Sequence, residues 1–364
     1  MPRMQYHIVL TEICNKQCTY CGGTRHINGI PLNVSYPIED LTEFLSQDPE
    51  PVIGFYGGEP LLAKDYMYEI MDKIPAKAFT LQTNATKLNQ VEDRYLHRLD
   101  AILVSIDGGR EVTDSCRGEG THDLVLSNLL EVEERGYKGD VIARMAFSKN
   151  GDIYRDVSYL LNHKFPYFDH VHWQLDVFWS ELDSWKDLEG WLKKYENGIT
   201  KLVSDFGASF ETGKPLGIVP FIPVFKTLLT GIETPHIRCG SGSTSFTVMT
   251  NGRIDVCPIA PELPYSNVGH IQTSKPEELR GVLPVGPPCT ECDVQGICGG
   301  RCLFSNQTMF WGLDWFNRIC DTTKHMINEL RKQVPVAEKL IDEGVLDASV
   351  FDYPSINNGC EIIP

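Results

Sequence analysis

The stretch QYHIVLTEICNKQCTYC, residues 5–21, indicates both the fold and the chemistry of this chain. Its first part, residues 5–11, is apolar and β-branched, which predicts a strand. A polar loop follows at once and carries Cys14, Cys18 and Cys21. Thiolates at such short spacing can converge on one soft metal centre. Since ligands of α/β proteins bind beyond the carboxyl ends of strands, we expect a metal site at that end of a sheet.

A second group of cysteines lies more than 200 residues further along the chain. Its spacing is Cys-x12-Gly-x4-Cys, then Cys-x2-Cys-x5-Cys-x3-Cys, then one more cysteine. The seven members are Cys239, Cys257, Cys289, Cys292, Cys298, Cys302 and Cys320. With the first group they include all but two of the 12 cysteines, which predicts an enzyme with several iron–sulfur clusters. Zinc is the alternative, because residues 289–302 could form a zinc knuckle and His26 could complete a site with the first group.

Composition bears on the compartment and on the partners. No secretory signal precedes the first strand, and no apolar run is long enough to span a membrane, so disulfides are not expected and a reducing cytoplasm is. The formal net charge is −16, with 49 acidic residues against 33 lysines and arginines. No basic stripe is present, which argues against nucleic acid as a partner. We expect no membrane partner either.

The first cysteine loop, including the aromatic Tyr20 before its last cysteine, resembles the signature loop of the radical SAM superfamily. The seven-cysteine pattern resembles the SPASM extension that one branch of the superfamily carries. The resemblance covers roughly residues 5 to 325. It implies an α/β fold, a partial (β/α)6 barrel with a small C-terminal SPASM domain. It also implies S-adenosyl-L-methionine and three [4Fe–4S] clusters, of which one binds S-adenosylmethionine and two are auxiliary. The implied partners are a peptide or protein substrate and an electron donor such as a flavodoxin or ferredoxin.

Strand-like and helix-like segments alternate along the first half, as a parallel sheet requires. The candidate strands are 5–11, 52–56, 78–83, 101–106, 140–147 and 168–175. A long helix is expected within residues 184–206, and SFTVMTNGRIDVCP reads as a hairpin around an Asn-Gly turn. The expected domains are a barrel at 1–210, a linker or bridging helix at 211–238, the SPASM domain at 239–335 and a tail at 336–364.

Several polar or glycine positions at strand ends are candidates for contact with S-adenosylmethionine. The resemblance assigns the GGEP stretch after the second strand to the amino group, and an arginine in the fifth strand to the carboxylate. The candidate set is Tyr20, Gly57, Gly58, Glu59, Pro60, Asn84, Ser105, Asp107 and Arg144. The alternative is that a Gly-Gly pair makes a turn and that the others are polar ends of core strands.

The role of Cys116 and the fourth ligand of the inner auxiliary cluster remain open. Cys116 is a candidate catalytic thiol on the top face of the barrel, or else a small buried hydrophobe. By resemblance, Cys289, Cys292, Cys298 and Cys320 hold the outer auxiliary cluster. The same resemblance gives the inner one only Cys239, Cys257 and Cys302. Its fourth ligand is His236, Cys360 or the substrate itself.

The function that this resemblance favours is oxidative modification, such as a crosslink, of a peptide or protein. A sulfatase-maturing, formylglycine-forming enzyme is an alternative, but such enzymes carry an Asp where this chain has Pro258. A non-catalytic iron–sulfur electron carrier is the second alternative. The first strand begins about five residues in, so we expect no leader-peptide-binding domain ahead of the barrel.

Overall fold

Six parallel strands, in chain order, form the larger part of one sheet. In the computed structural model, which describes residues 3–178, 180–354, 356, 363 and 364, they pair in the order β6-β5-β4-β3-β2-β1. Their bounds are β1 Gln5–Val9, β2 Val52–Tyr56, β3 Ala78–Thr83, β4 Ala101–Ser105, β5 Asp140–Phe147 and β6 His170–Leu175. The predicted α/β fold with a parallel sheet of six strands is confirmed.

Helices connect these strands and cover the sheet. They are α1 Ile38–Ser46, α2 Lys64–Lys73, α3 Asp93–Leu96, α4 Arg110–Arg117, α5 Thr121–Glu134 and α6 Ile153–Leu161. In α6 the side chain of Asp152 caps the first turn by accepting from the Arg155 amide (2.9 Å), and Ile153, Val157 and Leu160 form its buried face. Because both faces of the sheet are covered, a central strand such as β4 is an unbroken apolar run, AILV, before its last residue.

The sheet does not end at β1. Strand β7 (Ser245–Val248) pairs in parallel with β1, and β8 (Arg253–Asp255) and β9 (Asn267–His270) continue antiparallel from it. The expected hairpin around Asn251 and Gly252 is therefore present, and the strand after it was not predicted. As a result, the barrel and the expected cluster domain share one nine-stranded sheet.

The remaining helices pack on one side of the barrel and around the second cysteine group. They are α7 Leu188–Ser209, α8 Phe221–Thr230, α9 Pro276–Leu279, α10 Gln295–Cys298, α11 Leu303–Thr308, α12 Gly312–Arg331 and α13 Val334–Asp342. Helix α12 packs against α7 and α8, and Arg318 reaches Glu189 (2.9 Å) and Glu196 (2.8 Å) across the first interface.

The segment expected to be a linker or bridging helix contains α8, which is part of the core. Phe225 of α8 packs in one cluster with Phe206, Phe210 and Phe351, and all four rings are fully buried. Part of the expected tail therefore belongs to the same core. None of the helices in the described ranges has both the length and the apolar character needed to cross a membrane.

Candidate active site

The loop after β1 folds back on itself through its own backbone. The carbonyl of Cys18 accepts from the amides of Cys21 (3.1 Å) and Gly22 (2.9 Å), and the Cys14 amide donates to Oγ1 of Thr24 (3.0 Å). The Lys16 amide donates to the Cys14 sulfur (3.4 Å). These bonds set the three sulfurs on one side of the loop, where all three line the same cavity.

The thiols of this loop also act on one another. The hydrogen bond between Cys18 and Cys21 lowers the pKa of Cys21 to about 6 and raises that of Cys18. Burial raises the pKa of Cys14, and the charge of Cys21 contributes to that rise. Metal ligands must be deprotonated, and three neighbouring thiolates repel one another. A cationic cluster bound to these sulfurs would offset that repulsion. The donor set, three thiols around one cavity, fits a [4Fe–4S] cluster with one open iron.

The cavity next to the three sulfurs has a volume of about 370 Å³ and lies beyond the carboxyl ends of the parallel strands. Tyr20, Gly57, Gly58, Asn84, Ser105 and Arg144 of the predicted contact set line it. The lining also includes residues that the sequence did not predict, among them Lys16, Arg25, Gln82, Arg117, Gln174, Asp176 and Ile259. A position at a strand end was the available signal for Gln82, Gln174 and Asp176.

Gly57 and Gly58 bring the end of β2 into contact with the cysteine loop. The amide of Gly58 donates to the carbonyl of Thr11 (2.8 Å). A Cβ on Gly57 would lie 2.3 Å from that same carbonyl oxygen, and one on Gly58 would lie 2.4 Å from the carbonyl oxygen of Ile13. Only glycine allows this approach, so the pair shapes the floor of the cavity as well as lining it.

Glu59 faces away from the cavity, contrary to the expectation that it meets the ligand. Its carboxylate is fully buried and accepts from the Leu61 amide (3.0 Å), the Thr83 hydroxyl (2.7 Å) and the Asn84 amide (2.7 Å). Burial raises the pKa of Glu59 to about 6 in spite of these bonds. The carboxylate therefore ties the end of β2 to the end of β3. Pro60, which is also buried, starts the next turn and does not line the cavity either.

Asp107 is likewise turned into the protein, where it organises one cavity wall. Its carboxylate accepts two hydrogen bonds from Arg117 (both 2.8 Å), one from the Tyr20 hydroxyl (2.9 Å) and one from the Ala146 amide (2.9 Å). The Arg117 guanidinium also lies 5.4 Å from the centre of the Tyr20 ring. Asp107 thus positions Tyr20 and Arg117, which do face the cavity, and is not itself a lining residue.

Ser105 and Arg144 lie side by side on β4 and β5, where the parallel register pairs them directly. Arg144 is buried and has the one cationic side chain of β5. It lines both the main cavity and a smaller one described below. A buried guanidinium at that position suits a carboxylate ligand.

Cys116 does not reach the cavity. Its side chain is 3% exposed in α4, and its carbonyl accepts from the amide of Thr19 in the cysteine loop (2.9 Å). Burial raises the pKa of the Cys116 thiol. The expectation of a catalytic thiol on the top face is not met, because the side chain packs behind the loop. It is the small buried hydrophobe of the alternative.

The second cysteine group is divided between two neighbourhoods. The charge of Cys292 raises the pKa values of Cys289 and Cys320, and the charge of Cys320 raises that of Cys298, all three after burial as the larger cause. These four are the set expected for the outer cluster. Cys302 also lies near Cys289.

Cys239 and Cys257 lie closer to the barrel. They border a cavity of about 30 Å³ that reaches into the barrel beside His7. Five residues line both this cavity and the main one: Tyr56, Gln82, Arg144, Gln174 and Ile259. Arg25 also joins the two regions, donating to Glu12 (2.9 Å) and to the carbonyl of Pro258 (2.9 Å). Cys239 and Cys257 are therefore separated from the main cavity by the residues that line both cavities.

Of the two residues considered as fourth ligand of the inner cluster, the structure describes only His236. Nδ1 of His236 lies 2.8 Å from the Ile237 carbonyl, and its side chain borders an outer cavity that Cys239 also lines. Cys360 lies outside the described residues. Among those that are described, no three or more His, Cys, Asp or Glu side chains are arranged to hold a single metal ion.

Comparison with known proteins identifies the class of the barrel. Residues 8–150 match the Radical SAM superfamily, so this part of the chain is a radical SAM domain, as expected. Enzymes of this superfamily use a [4Fe–4S] cluster and S-adenosylmethionine, which agrees with the three thiols and the cavity beside them.

Two curated relatives match part of the chain. An uncharacterized protein of Archaeoglobus fulgidus is 32% identical over 122 residues, which are 33% of this chain and 29% of that protein. The Fe-coproporphyrin III synthase of Methanosarcina barkeri is 30% identical over 158 residues, which are 41% of this chain and 37% of that enzyme. The chain therefore matches well under two thirds of the length of either relative.

Solved structures share the fold over more of the chain. Native anSMEcpe with bound AdoMet and Cp18Cys peptide superposes with a TM-score of 0.71 at 19% identity, covering 93% of this chain and 100% of that one. Streptococcus suis SuiB bound to S-adenosylmethionine gives a TM-score of 0.50 at 16% identity, covering 82% of this chain and 73% of that one. At these identities the likeness shows the fold alone.

Proposed function

We propose that this radical SAM enzyme carries out an oxidative modification, such as a crosslink, of a peptide or protein substrate. The observation that carries the proposal is that Cys239 and Cys257 border a small cavity that shares five lining residues with the cavity beside the first cysteine group. A substrate bound at those shared residues lies between a radical source and a possible acceptor for the electron that oxidation releases. Peptide bound in the structure of anSMEcpe, which shares the fold, supports the substrate class.

Cys14, Cys18 and Cys21 would hold the first [4Fe–4S] cluster, and the cavity beside them would hold S-adenosylmethionine. When bound, this pair supplies a 5′-deoxyadenosyl radical that removes a hydrogen atom from a substrate carbon. Arg144 would bind the carboxylate of S-adenosylmethionine. Gly57 and Gly58 leave the space for it.

The auxiliary clusters are the second half of the proposal. Cys289, Cys292, Cys298 and Cys320 would hold the outer one. Cys239, Cys257 and Cys302 would hold the inner one, which leaves one iron open to the substrate or to a further ligand. A flavodoxin or ferredoxin would supply the reducing electron. Because the thiolates must stay reduced until they bind iron, we place the enzyme in the cytoplasm.

Formylglycine formation remains the second candidate because of one carboxylate in the cavity. Asp176 lines it, accepts from the Ser148 hydroxyl (2.7 Å), and burial raises its pKa. It could take the proton that such a reaction releases, in place of the Asp that Pro258 replaces. A peptide containing Ser or Cys separates the two candidates, since only formylglycine formation yields an aldehyde at that residue.

The decisive assay follows S-adenosylmethionine in the anaerobically reconstituted protein with a chemical reductant. We expect 5′-deoxyadenosine to form. The triple variant Cys14→Ala, Cys18→Ala, Cys21→Ala should lose all of it together with about one third of about 12 iron atoms, four per cluster. The control is Cys116→Ala, which removes a cysteine outside both groups. Zinc in place of iron would contradict the proposal. So would an experiment in which a deuterated iron-coproporphyrin transfers deuterium to 5′-deoxyadenosine while no deuterated peptide does.

A further inference from the structure

The turn after β3 meets the first cysteine loop through a closed ring of hydrogen bonds between three side chains. Nδ2 of Asn84 donates to Oδ1 of Asn15 (2.8 Å), and Nδ2 of Asn15 donates to Oγ1 of Thr86 (2.9 Å). The Thr86 hydroxyl closes the ring by donating to Oδ1 of Asn84 (2.7 Å). Because Asn15 directly follows Cys14, the ring ties the end of β3 to the loop that carries the first cysteine group.

One backbone group fixes the direction of every bond in this ring. The Thr86 amide donates to the side chain of Asn84 (3.1 Å), and because an N–H can only donate, the atom that it meets is Oδ1. The other end of that amide group is therefore Nδ2. The atom of Asn15 that faces it must then be the oxygen, which leaves the Asn15 nitrogen for the Thr86 hydroxyl. The ring uses one of the two Nδ2 protons of Asn84.

The other proton of that amide group is directed at Cys14. Nδ2 of Asn84 donates to the Cys14 sulfur over 3.9 Å, a long contact to a large acceptor atom. Asn84 is buried, and both residues line the main cavity. A thiolate that holds iron carries more negative charge than a thiol and is the stronger acceptor. The contact should therefore strengthen when the cysteine is a ligand.

The backbone of this turn is held in a conformation that alanine rarely adopts. Ala85 has φ +58°, in the left-handed region, and is fully buried. Its amide donates to the Thr83 hydroxyl oxygen (2.9 Å), and its carbonyl accepts from Nδ2 of Asn128 in α5 (2.9 Å). Such conformations persist only where neighbouring contacts hold them, and they cluster at functional sites. The position of Asn84 is therefore set by the fold and not by its own side chain alone.

We propose that Asn84 is a positioning residue of the first cluster, and that Asn15 and Thr86 hold its amide group so that it donates to the Cys14 sulfur when iron is bound. The inference rests on the proposed function in one respect, the assignment of a cluster to the first cysteine group. Hydrogen bonds to ligand sulfurs help to set the reduction potential of an iron–sulfur cluster. A donor stabilises the reduced state, which carries one more negative charge, and so raises the potential.

The test is a redox titration of the first cluster, followed by EPR spectroscopy without S-adenosylmethionine, in the full-length reconstituted protein and in Asn84→Leu. The signal of this cluster is the one that the triple cysteine variant lacks. Loss of one hydrogen bond should lower the equilibrium constant for reduction about three- to tenfold. This change equals about 30–60 mV for a one-electron couple. The matched control is Asn162→Leu, which removes an amide that donates to the Ser158 carbonyl (2.8 Å) at the end of α6 and should leave the potential unchanged.

A second variant, Thr86→Val, opens the ring and keeps Asn84. We expect a smaller fall in the potential, because the amide group of Asn84 keeps its bonds to Asn15 and to the backbone. In the Asn84→Leu background, Thr86→Val should change the potential no further, since Thr86 acts on the cluster through Asn84. A residue that served only the stability of the turn would not show this dependence. The control is Thr42→Val, which removes a hydroxyl that donates to the Ile38 carbonyl (2.9 Å) within α1.

Iron content and an isotope label complete the test. In the wild type with asparagine labelled by ¹⁵N at the side-chain amide, pulsed EPR should detect a coupled ¹⁵N nucleus at the reduced first cluster. Lowered potentials with iron at the wild-type level support the proposal. An unchanged potential in either variant overturns it, and so does absence of the ¹⁵N coupling in the wild type. If Asn84→Leu fails to assemble the cluster, then Thr86→Val and the label decide in the same way. A wild type that binds no iron at the first cysteine group would instead refute the proposed function.

Discussion

At Gly58 the loop after β2 makes a close approach to the backbone of the cysteine loop. A Cβ there would lie 2.4 Å from the carbonyl oxygen of Ile13 and 2.6 Å from that of Glu12. Both contacts are backbone atoms, which cannot move without displacing the start of the loop that carries Cys14. The precision of the first cluster site therefore depends on the absence of one methyl group.

We predict that Gly58→Ala lowers the free energy of unfolding by about 1–3 kcal/mol, as overpacking does elsewhere, and weakens iron binding at the first site. Gly109→Ala is the matched control, because a Cβ there meets nothing within 4 Å and the residue has φ −65°. Chemical denaturation and iron content per chain measure the two effects. Equal values for the two variants would show that the close approach is not required.

The roles of single side chains were the least predictable part of the site. In the sequence, three candidates follow strands that end at the cavity: Glu59, Asp107 and Cys116. Their position alone suggests that they meet the ligand. Their directions depend on partners distant in sequence, such as Thr83 for Glu59 and Ala146 for Asp107. The cysteine groups were predictable because their spacing within a short loop fixes their convergence.

Among the elements, α6 and α7 are in close contact at a glycine. A Cβ on Gly198 of α7 would lie 2.4 Å from Cγ2 of Ile153 in α6. Alanine favours an isolated helix over glycine by about 1 kcal/mol, so the clash and the propensity act in opposite directions. Because α7 packs tightly on the barrel, we expect the clash to outweigh the helix propensity in the free energy of unfolding.

We predict that Gly198→Ala destabilises the protein, by up to about 2 kcal/mol, but stabilises it in an Ile153→Ala background, where the clashing methyl group is gone. A double-mutant cycle from urea unfolding gives both numbers. If the substitution has the same sign in both backgrounds, then the contact with Ile153 does not determine it.

Element positions were predictable where a pattern is local. The six barrel strands lie within two residues of their expected bounds, because each is an apolar run that turn residues interrupt. Strand β9 was missed, since NVGH is four residues long and only partly buried. The segment at 211–238 was expected as a linker or bridging helix, and it contains α8, in which Phe221 and Phe225 belong to the buried apolar face.

For the whole molecule, the sheet that runs through β1 into β7 joins the two expected domains. Tyr6 and Ile8 of β1 are fully buried, and β7 covers one edge of that strand. The sequence of a strand does not show which strand it pairs with. The pairing of β1 with β7 across the domain boundary expected at residue 239 was therefore not predicted. An unpaired apolar edge invites association with other chains.

We therefore predict that a chain ending after residue 238 aggregates on expression, whereas one ending after residue 354, which keeps β1–β9 and α1–α13, stays dispersed. Size-exclusion chromatography under anaerobic conditions distinguishes the two. Recovery of the shorter chain as a monomer that still cleaves S-adenosylmethionine would show that the barrel folds without β7.

The pairing of β1 with β7 also has a consequence for how the protein is made. Gln5 and Ser245 are partners although some 240 residues separate them in sequence. At a synthesis rate of about 5–20 residues per second, β1 waits roughly 10 to 50 seconds on the ribosome before its second neighbour emerges. During that interval the nascent chain shows an open edge beside a loop of three oxidisable thiols. Binding of iron at the loop during that interval would protect its thiols from oxidation.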